Sequence, residues 1–362
     1  MSFNRLAILV LTILAAAGLG AARAEVDWQK DWSDTIAAAK KEGALTISLP
    51  SGSVWRAELE RFQQAYPDIK LQMTAFSGRD FWARFVKERE VGQYLWDMRV
   101  GGYDAQEYQI KQAGNMQPVR DLLILPENTD DQLWYGGLDG CFLDAEKKYI
   151  FGFVAVDQTS VNYNTKMVGP KFDVDDLVDP KWTGKISMAD PRGGSPLTTM
   201  GALYRQKGPD FIRKLVVDQK PVITNIPRQQ TDWLVSGRYP IAFGVPSAAL
   251  VEYRRNGGDV SGISKMTGTR QWSMGVGGIT VPTRNPHPNA TKVYVNWLLS
   301  RDVQAHLMKG VELNSRRKDV PQGQPDASLD YSRIDDYIGG QTEAMKPYIE
   351  KAQAELRELI KR

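Results

Sequence analysis

A repeated order of strand, glycine- or serine-rich turn and helix is the feature that most constrains the fold of this chain. Apolar residues alternate with polar ones over 45–49, and apolar residues at helical spacing follow from Trp55 to Tyr66. A second alternating stretch covers 69–75. A strand, a crossover helix and another strand of these lengths form a βαβ unit, in which the two strands run parallel. The pattern therefore predicts an α/β fold.

The same order recurs further along the chain. Residues 81–90 are predicted to be helical, and 96–100 to be a strand that ends in glycines. More strand-to-helix turns lie within 183–255, which predicts another α/β lobe. The apolar stretches 149–163 and 272–282 are each predicted to be one long strand, which can leave one lobe and enter the other. Doubly wound sheets bind ligands outside the carboxyl ends of their strands, so the turns after the strands are the expected ligand site.

Residues 184–196 contain the most distinctive of these turns. They begin as a strand that ends before Asp190, and Ser195 is the predicted N-cap of the next helix, with Pro196 at the first helical position. The free backbone N–H groups and the dipole of a helix N-terminus attract anions. Arg192 would add a forked, permanently charged donor. An ordinary turn with a solvated arginine is the alternative interpretation.

Composition excludes several classes of function. Forty-six basic and 43 acidic residues give a formal net charge of +3, which leaves no electrostatic footprint for nucleic acid. Cys141 is the single cysteine, so no intrachain disulfide forms. His287 and His306, the two histidines, do not provide a histidine-rich metal site. No Gly-x-Ser-x-Gly elbow occurs. We therefore expect neither enzymatic activity nor a cofactor.

The N-terminus has the form of a secretory signal. Arg5 is followed by an apolar run from Leu6 to Leu14, and Ala22-Arg23-Ala24 has the small-x-small form of a cleavage site. The apolar run is short for a membrane span, and no later segment is apolar enough to be one. We expect residues 1–24 to be a signal peptide, and the mature chain to reach the periplasm without inserting into the membrane.

Motifs from Tyr163 onwards stand in the order of a known family. They are Tyr163-Asn164-Thr165-Lys166 after the first long stretch, Asp179 to Ile186 running into Asp190-Pro191, Pro282 to Ser300, and Ser315 to Val320. Together they resemble the extracellular solute-binding proteins of ABC importers, in the subgroup that includes ferric-iron and phosphorylated-sugar binders. The resemblance covers essentially the whole mature chain.

The resemblance implies a type II periplasmic binding protein. Such a protein has two doubly wound α/β lobes joined by crossing strands, and hinge closure traps the ligand in the cleft between them. By analogy, residues 25–155 with 277–312 form lobe 1, and residues 156–276 with 313–362 form lobe 2. The expected partners are a small-molecule ligand and the membrane permease of an ABC importer. We expect a monomer.

One departure from the family bears on the ligand. Ferric binders of this group usually carry adjacent tyrosines near the start of the helix after a second-lobe strand, but residues 245–253 hold only Tyr253, and the chain has no Tyr-Tyr pair. A hard cation such as Fe³⁺ prefers charged oxygen ligands. We therefore expect a small organic anion: a phosphorylated, phosphonate or carboxylate compound. Ferric iron or a cationic small molecule, such as a polyamine or a thiamine-like compound, remains the alternative, and a secreted enzyme a remote third.

The candidate ligand-binding residues follow the predicted strands or are aromatic side chains near them. In lobe 1 they are Gly52, Ser53, Trp55, Arg79, Tyr103 and Asp104. In lobe 2 they are Asp190, Arg192, Gly193, Gly194, Ser195, Ser247, Tyr253 and Trp272. Aromatic residues among them could stack on a ring or sugar, but buried aromatics also serve as core. Asp190 could either pair with Arg192 or bind an amine of the ligand.

Overall fold

The computed structural model describes residues 27–104, 106–159, 161–325 and 328–360. The predicted signal peptide, residues 1–24, lies outside this part of the chain. Within the described part, no helix combines the length and the apolar character needed to cross a bilayer. These residues form the predicted α/β fold, in which helices flank sheets.

Strands and helices alternate along most of the chain. In chain order, the strands of the described residues are β1 Ala44–Leu49, β2 Lys70–Ala75, β3 Met98–Gly101, β4 Met116–Gln117, β5 Phe151–Gly152, β6 Val156–Asp157, β7 Val161–Asn164, β8 Ile186–Met188, β9 Val222–Ile223, β10 Ile241–Phe243, β11 Ile263–Lys265, β12 Gln271–Ser273, β13 Gly278–Pro282 and β14 Ile338–Gly339. The α-helices are α1 27–42, α2 Ser53–Glu60, α3 Phe62–Ala65, α4 Gly78–Glu90, α5 Gln106–Gln112, α6 Pro126–Thr129, α7 Gly137–Gly140, α8 Thr165–Val168, α9 Gly194–Lys207, α10 Pro209–Arg213, α11 Pro227–Ser236, α12 Ser247–Arg255, α13 Pro288–Leu299, α14 Arg301–Val311 and α15 Lys346–Leu359. Short 3₁₀ turns cover Arg120–Leu122, Asp131–Leu133, Asp175–Val178, Pro180–Trp182, Thr267–Thr269, Tyr331–Asp336 and Glu343–Met345, and a π-helical stretch at Lys214–Asp218 continues α10.

The first lobe is built on a sheet of strand order β2-β1-β3-β13-β4, with β5 also paired to β13. β1 runs parallel to β2 and β3, and β13 runs antiparallel to β3. The predicted βαβ unit is thereby confirmed. Its helical stripe faces the core, where Trp55, Leu59 and Phe62 are buried together with Ile47 of β1.

The second lobe is built on a sheet of strand order β11-β7-β10-β8-β9. β8 runs parallel to β9 and β10, whereas β7 runs antiparallel to β10. Ile186, Met188 and Phe243 of this sheet pack on α9 and α15. A Cβ at Gly201 would lie 2.6 Å from Cγ1 of Ile349, so the absence of a side chain at Gly201 lets α15 lie close against α9.

The lobes are joined by crossing strands. β6 lies between β5 of the first lobe and β7 of the second, and β12 lies between β11 and β13. The two pair antiparallel, with Trp272 opposite Asp157, and β14 adds a parallel strand beside β12. The described chain therefore passes between its lobes along adjacent strands, as the resemblance implied.

The long stretches 149–163 and 272–282 are not continuous strands, so the prediction of an unbroken strand in each was wrong. The first breaks after β6, where the Asp157 carboxylate accepts a hydrogen bond from the Thr159 N–H at 2.8 Å and turns the chain. The second breaks at Gly275, whose φ is +54. Apolar composition does not reveal such turns.

Residues 313–320 contact the first lobe, although the sequence analysis grouped them with the second. Ser315 forms an isolated bridge with Val154. The buried Arg317 guanidinium donates from Nη1 to the backbone oxygen of Leu299 at 2.9 Å. The motif Ser315 to Val320 thus fastens the chain to α13. These contacts favour moving the segment to lobe 1, and the exact lobe bounds stay a prediction.

Candidate functional site

The turns after the parallel strands of the first lobe share one edge of its sheet. They contain residues 50–53 after β1, 76–79 after β2 and 102–104 after β3. A Cβ at Gly78 would lie 3.0 Å from Cβ of Asp104, so two of these turns are in contact. A Cβ at Gly102 would lie 2.9 Å from the backbone oxygen of Gly275, so this edge also adjoins the crossing strands. Gly52, Ser53, Arg79, Tyr103 and Asp104 lie here as predicted.

A buried ion pair stands directly behind this edge. Nη1 of Arg99 lies 2.7 Å from Oε1 of Glu107, and both side chains are almost completely buried. Nη2 of Arg99 donates to the backbone oxygen of Gly102 and lies 3.1 Å from the position of a Cβ at Gly78. Nε of Arg99 and Oε2 of Glu107 have no partner among the described residues. A permanent positive charge is thus held just beneath the turns.

Burial shifts the pKa values of two groups at this edge, the Glu107 carboxyl and the Tyr103 phenol. Burial raises the pKa of the Glu107 carboxyl to about 7, although the charge of Arg99 and the Trp82 indole N–H oppose the shift. Burial also raises the pKa of the Tyr103 phenol, and the carboxylates of Glu107 and Asp104 act in the same direction. Tyr103 therefore remains a neutral hydrogen-bond donor and acceptor at physiological pH.

The turns of the second lobe converge in the same way. A Cβ at Gly244, after β10, would lie 2.7 Å from Cβ of Ala189 and 2.9 Å from Cγ of Pro196. The loop after β8 and the loop after β10 are therefore in contact at the carboxyl edge of this sheet. β7 enters the second lobe at this same edge, because Val161 pairs with Phe243. The carboxyl edges of both sheets thus adjoin the crossing strands.

The start of α9 differs by two residues from the prediction. The helix begins at Gly194 with Gly193 as its N-cap, so Ser195 and Pro196 are its second and third residues. The sequence pattern did not indicate this start, because Gly194 enters the helix with a left-handed φ of +62, which a glycine readily adopts. The first hydrogen bond of the helix runs from the Leu197 N–H to the Gly193 oxygen at 3.3 Å. The N–H groups of Gly194 and Ser195 therefore have no intrahelical acceptor.

Arg192 is engaged by Asp190 in a forked ion pair. Nε and Nη2 of Arg192 lie 2.8 and 2.6 Å from the two carboxylate oxygens of Asp190. Asp190 also accepts a hydrogen bond from the Arg192 backbone N–H. The Gln353 amide of α15 donates to the Arg192 oxygen at 3.2 Å and so holds this loop from the other side. Nη1 takes no part in the pair with Asp190, and the guanidinium is partly exposed.

The other three aromatic candidates, Trp55, Trp272 and Tyr253, have different surroundings from Tyr103. Trp55 is buried in the first-lobe core. Trp272 is buried beneath the guanidinium of Arg316, which lies 4.4 Å from its ring centroid. Tyr253 lines a groove of about 570 Å³ between α11 and α12. Ser247 is the first residue of α12, after β10. The positions of Trp55 and Trp272 favour the packing alternative for both.

The sequence analysis missed Arg99, Glu107 and Gln353. Arg99 lies within a strand and Glu107 within a helix. Hydrophobic periodicity alone predicts that charged residues in such elements face the solvent, so it did not indicate that these two are buried. Gln353 lies on the predicted C-terminal helix, far along the chain from the loop that it contacts. A weak signal existed for Arg99, since a charged residue between Met98 and Val100 interrupts an apolar strand.

Metal-ligating side chains are not clustered in the described residues. Among them, no group of three or more His, Cys, Asp or Glu side chains is placed so as to hold a metal ion. Asp97 and His287 do form a pair, with 2.8 Å between Nδ1 and Oδ2. Asp97 also accepts hydrogen bonds from the backbone N–H groups of Thr46 and His287, which gives it a structural role.

A comparison with models of known protein families shows to which family the chain belongs. Residues 57–330, three quarters of the chain, match the model of the family described as bacterial extracellular solute-binding protein. The chain belongs to this family. Membership implies a small-molecule ligand and the permease of an ABC transporter as partner. No curated protein matches the sequence.

Solved structures share the fold of this solute-binding protein. Ferric iron-binding protein A of Mannheimia haemolytica, in an open conformation, is 13% identical with a TM-score of 0.62, covering 88% of this chain and 98% of its own. Iron-bound HitA of Pseudomonas aeruginosa is 16% identical with a TM-score of 0.58, covering 87% and 99%. An ABC transporter protein of Clostridium perfringens is 11% identical with a TM-score of 0.66, covering 88% and 100%. These likenesses confirm the two-lobe fold.

Proposed function

We propose that this solute-binding protein captures a small organic anion, a phosphorylated, phosphonate or carboxylate compound, between its lobes and presents it to an ABC permease. The observation that carries the proposal is the start of α9. There, N–H groups without intrahelical acceptors follow Gly193, around which a Cβ would meet nothing within 4 Å. Open space, free donors and the positive end of the helix dipole together favour an anion.

The charges around the turns support this assignment. The pair with Asp190 reduces the positive field of Arg192, and Asp190 also takes the Arg192 backbone N–H, whereas the N–H groups of Gly194 and Ser195 have no acceptor within the helix. At the first-lobe edge, Arg79 is exposed in the first turn of α4, and the buried Arg99 adds charge from behind Gly78. Closure would bring the two sets of donors to one ligand, as in other periplasmic binding proteins.

Ferric iron is the alternative ligand, because several solved relatives are described as ferric-iron-binding proteins. Those proteins are at most 16% identical to this chain, so the shared fold does not transfer their ligand. The helix that follows β10 carries Tyr253 near its end and no adjacent tyrosine. We therefore place the organic anion first.

The test is a charge placed at the N-cap of α9. Gly194 is a poor position, because its φ of +62 would strain any side chain. Gly193 has φ −155 and open space, so Gly193→Asp should fold. Its carboxylate would occupy the anion position and weaken binding by at least about 2 kcal/mol, or thirtyfold. The ligand is first identified by mass spectrometry of what co-purifies with the protein and by a thermal-shift screen of anions, sugars and amines.

The matched control is Gly193→Asn, which has the same shape and capping ability without the charge. We expect titration calorimetry to show a clearly smaller loss for Gly193→Asn than for Gly193→Asp. Equal losses in the two variants would contradict an anionic group at this turn. Stoichiometric iron that resists citrate, with a visible charge-transfer band, would establish the ferric alternative instead.

A further inference from the structure

A second concentration of positive charge lies at the far end of the first lobe. A pocket of about 460 Å³ is formed by the last turns of α4, by Tyr94, and by the turn that follows β13. We call it the outer pocket. The thirteen residues of α4 span about 20 Å, and the helix begins at the cleft edge with Gly78. The outer pocket is therefore well separated from the proposed ligand site.

Arg89 and Arg284 meet on one aromatic ring in this pocket. The guanidinium carbons of Arg89 and Arg284 lie 4.2 and 5.5 Å from the ring centroid of Tyr94. Nη1 of Arg284 donates to the Tyr94 hydroxyl oxygen at 2.8 Å. Nη2 of Arg89 donates to the backbone oxygen of Thr283. Both guanidinium groups are thus fixed in place by neutral partners.

Neither guanidinium forms an ion pair within the described part of the chain. Glu88, which neighbours Arg89, is engaged by Arg84 and by the indole N–H of Trp96. Glu90 lines the pocket but is exposed. Burial lowers the pKa of the Arg89 guanidinium, and the charge of Arg284 acts in the same direction against the contribution of Tyr94. The fold therefore holds two like charges close together, and neither of them is in an ion pair within the described residues, although the carboxylates of Glu88 and Glu90 lie nearby.

The backbone at Arg284 is strained to achieve this. Its φ is +53, a left-handed conformation that costs energy for any residue with a Cβ. The conformation is maintained on both sides, because the Thr283 N–H donates to the Asn115 oxygen and the buried Asn285 amide donates to Thr291. Strain of this kind persists where the surroundings hold it, and it often accompanies a binding function.

We propose that the outer pocket is a second anion site, in which the guanidinium groups of Arg89 and Arg284 and the hydroxyl of Tyr94 bind an oxyanion of the carboxylate or phosphate type. Arginine forks match the oxygen spacing of both groups. The Tyr94 hydroxyl accepts from Arg284, so it can donate its own proton to an oxygen of the bound anion. An oxyanion here would offset the repulsion between the two arginines.

The test measures binding of inorganic phosphate and of citrate to the full mature chain in low-salt Tris buffer, by calorimetry and thermal shift. We expect Arg284→Gln and Arg89→Gln each to weaken binding at least about tenfold, since each removes charge-assisted hydrogen bonds. Arg213→Gln, at an exposed arginine that ends α10, is the matched control and should leave binding unchanged. Comparing the two probes tells whether phosphate or carboxylate is preferred.

Two further variants separate this site from the cleft and from a folding defect. Gly193→Asp, in the cleft, should leave binding at the outer pocket unchanged. Arg284→Gly should relieve the positive φ and retain or raise the melting temperature while losing the anion. The proposal is overturned if neither probe binds the wild-type chain at millimolar concentration, if both arginine variants bind as the wild type does, or if only Gly193→Asp abolishes binding.

Discussion

At the scale of single residues, the pair of Arg99 and Glu107 connects the fold to the proposed site. A buried ion pair is weak evidence for stability, because desolvation offsets much of the attraction between its charges. Here Nε of Arg99 and Oε2 of Glu107 are buried without partners, which adds to the cost. The position of the pair just behind Gly78 gives it another role, since it holds positive charge under the cleft edge.

The raised pKa of Glu107 predicts a specific pH dependence of stability. The folded chain holds a proton on Glu107 up to about pH 7, whereas an unfolded glutamate releases it near its ordinary pKa. Between these values the folded state binds more protons, so the contribution of Glu107 to stability falls as pH rises to about 7. This contribution amounts to at most about 3 kcal/mol and should be missing in Glu107→Gln.

The measurement is the urea unfolding free energy of wild type and Glu107→Gln from pH 4.5 to 8. The wild-type carboxyl releases its proton only as pH approaches about 7, whereas the amide in Glu107→Gln does not titrate. The stability of the wild type should therefore fall relative to that of Glu107→Gln as pH rises through this window. Glu60→Gln, at an exposed glutamate that ends α2, should show no such change. A pH-independent difference for Glu107→Gln would contradict the shifted pKa.

At the scale of elements, the segment before α15 connects both lobes to the crossing strands. The Gln341 side-chain oxygen accepts hydrogen bonds from the Ser273 hydroxyl and the Met274 N–H, at 2.8 and 3.1 Å. Its backbone oxygen accepts from the Tyr108 hydroxyl of the first lobe at 2.6 Å. α15 then packs on α9 of the second lobe. We call the hydrogen bonds of Gln341 with Ser273, Met274 and Tyr108 the clasp, because they link the first lobe and the crossing strands to the segment that leads into α15.

Gln341→Ala should loosen this clasp. The substitution leaves the Met274 N–H and the Ser273 hydroxyl without their acceptor, which should cost about 1–3 kcal/mol of unfolding free energy. Urea unfolding followed by tryptophan fluorescence measures the loss. Gln109→Ala, at an exposed position of α5, is the control and should cost less than about 0.5 kcal/mol. If Gln341→Ala has the unfolding free energy of the wild type, the hydrogen bonds of the clasp do not contribute to stability.

Elements with strong periodicity could be predicted from the sequence, and contacts between distant elements could not. β1, α2 and β2 follow from alternation and from the stripe that starts at Trp55, because each pattern is local. The position of the turn after β8 was also predictable. Its first helical residue was not, since Gly194 enters the helix at a φ of +62, which the local sequence pattern does not indicate. The contact between Gln353 and Arg192 joins segments 161 residues apart, which no local pattern encodes.

At the scale of the whole molecule, the crossing strands decide how the lobes can move. β6 and β12 are short and pair with each other, and the Lys265 ammonium lies 2.7 Å from the Asp157 carboxylate beside them. The packing beside them is close, because a Cβ at Gly277 would lie 2.2 Å from Cγ2 of Val154. A motion of rigid lobes about these strands fits such a connection better than bending within a lobe.

We expect ligand binding to close the lobes as rigid bodies. Small-angle scattering should give a smaller radius of gyration for the mature chain at saturating ligand than for the free chain. Gly193→Asp at the same ligand concentration, below its own weakened dissociation constant, should keep the larger radius. This comparison distinguishes closure by the bound ligand from a general effect of the solution. An unchanged radius in saturated wild type would contradict hinge closure, while binding itself could still be present.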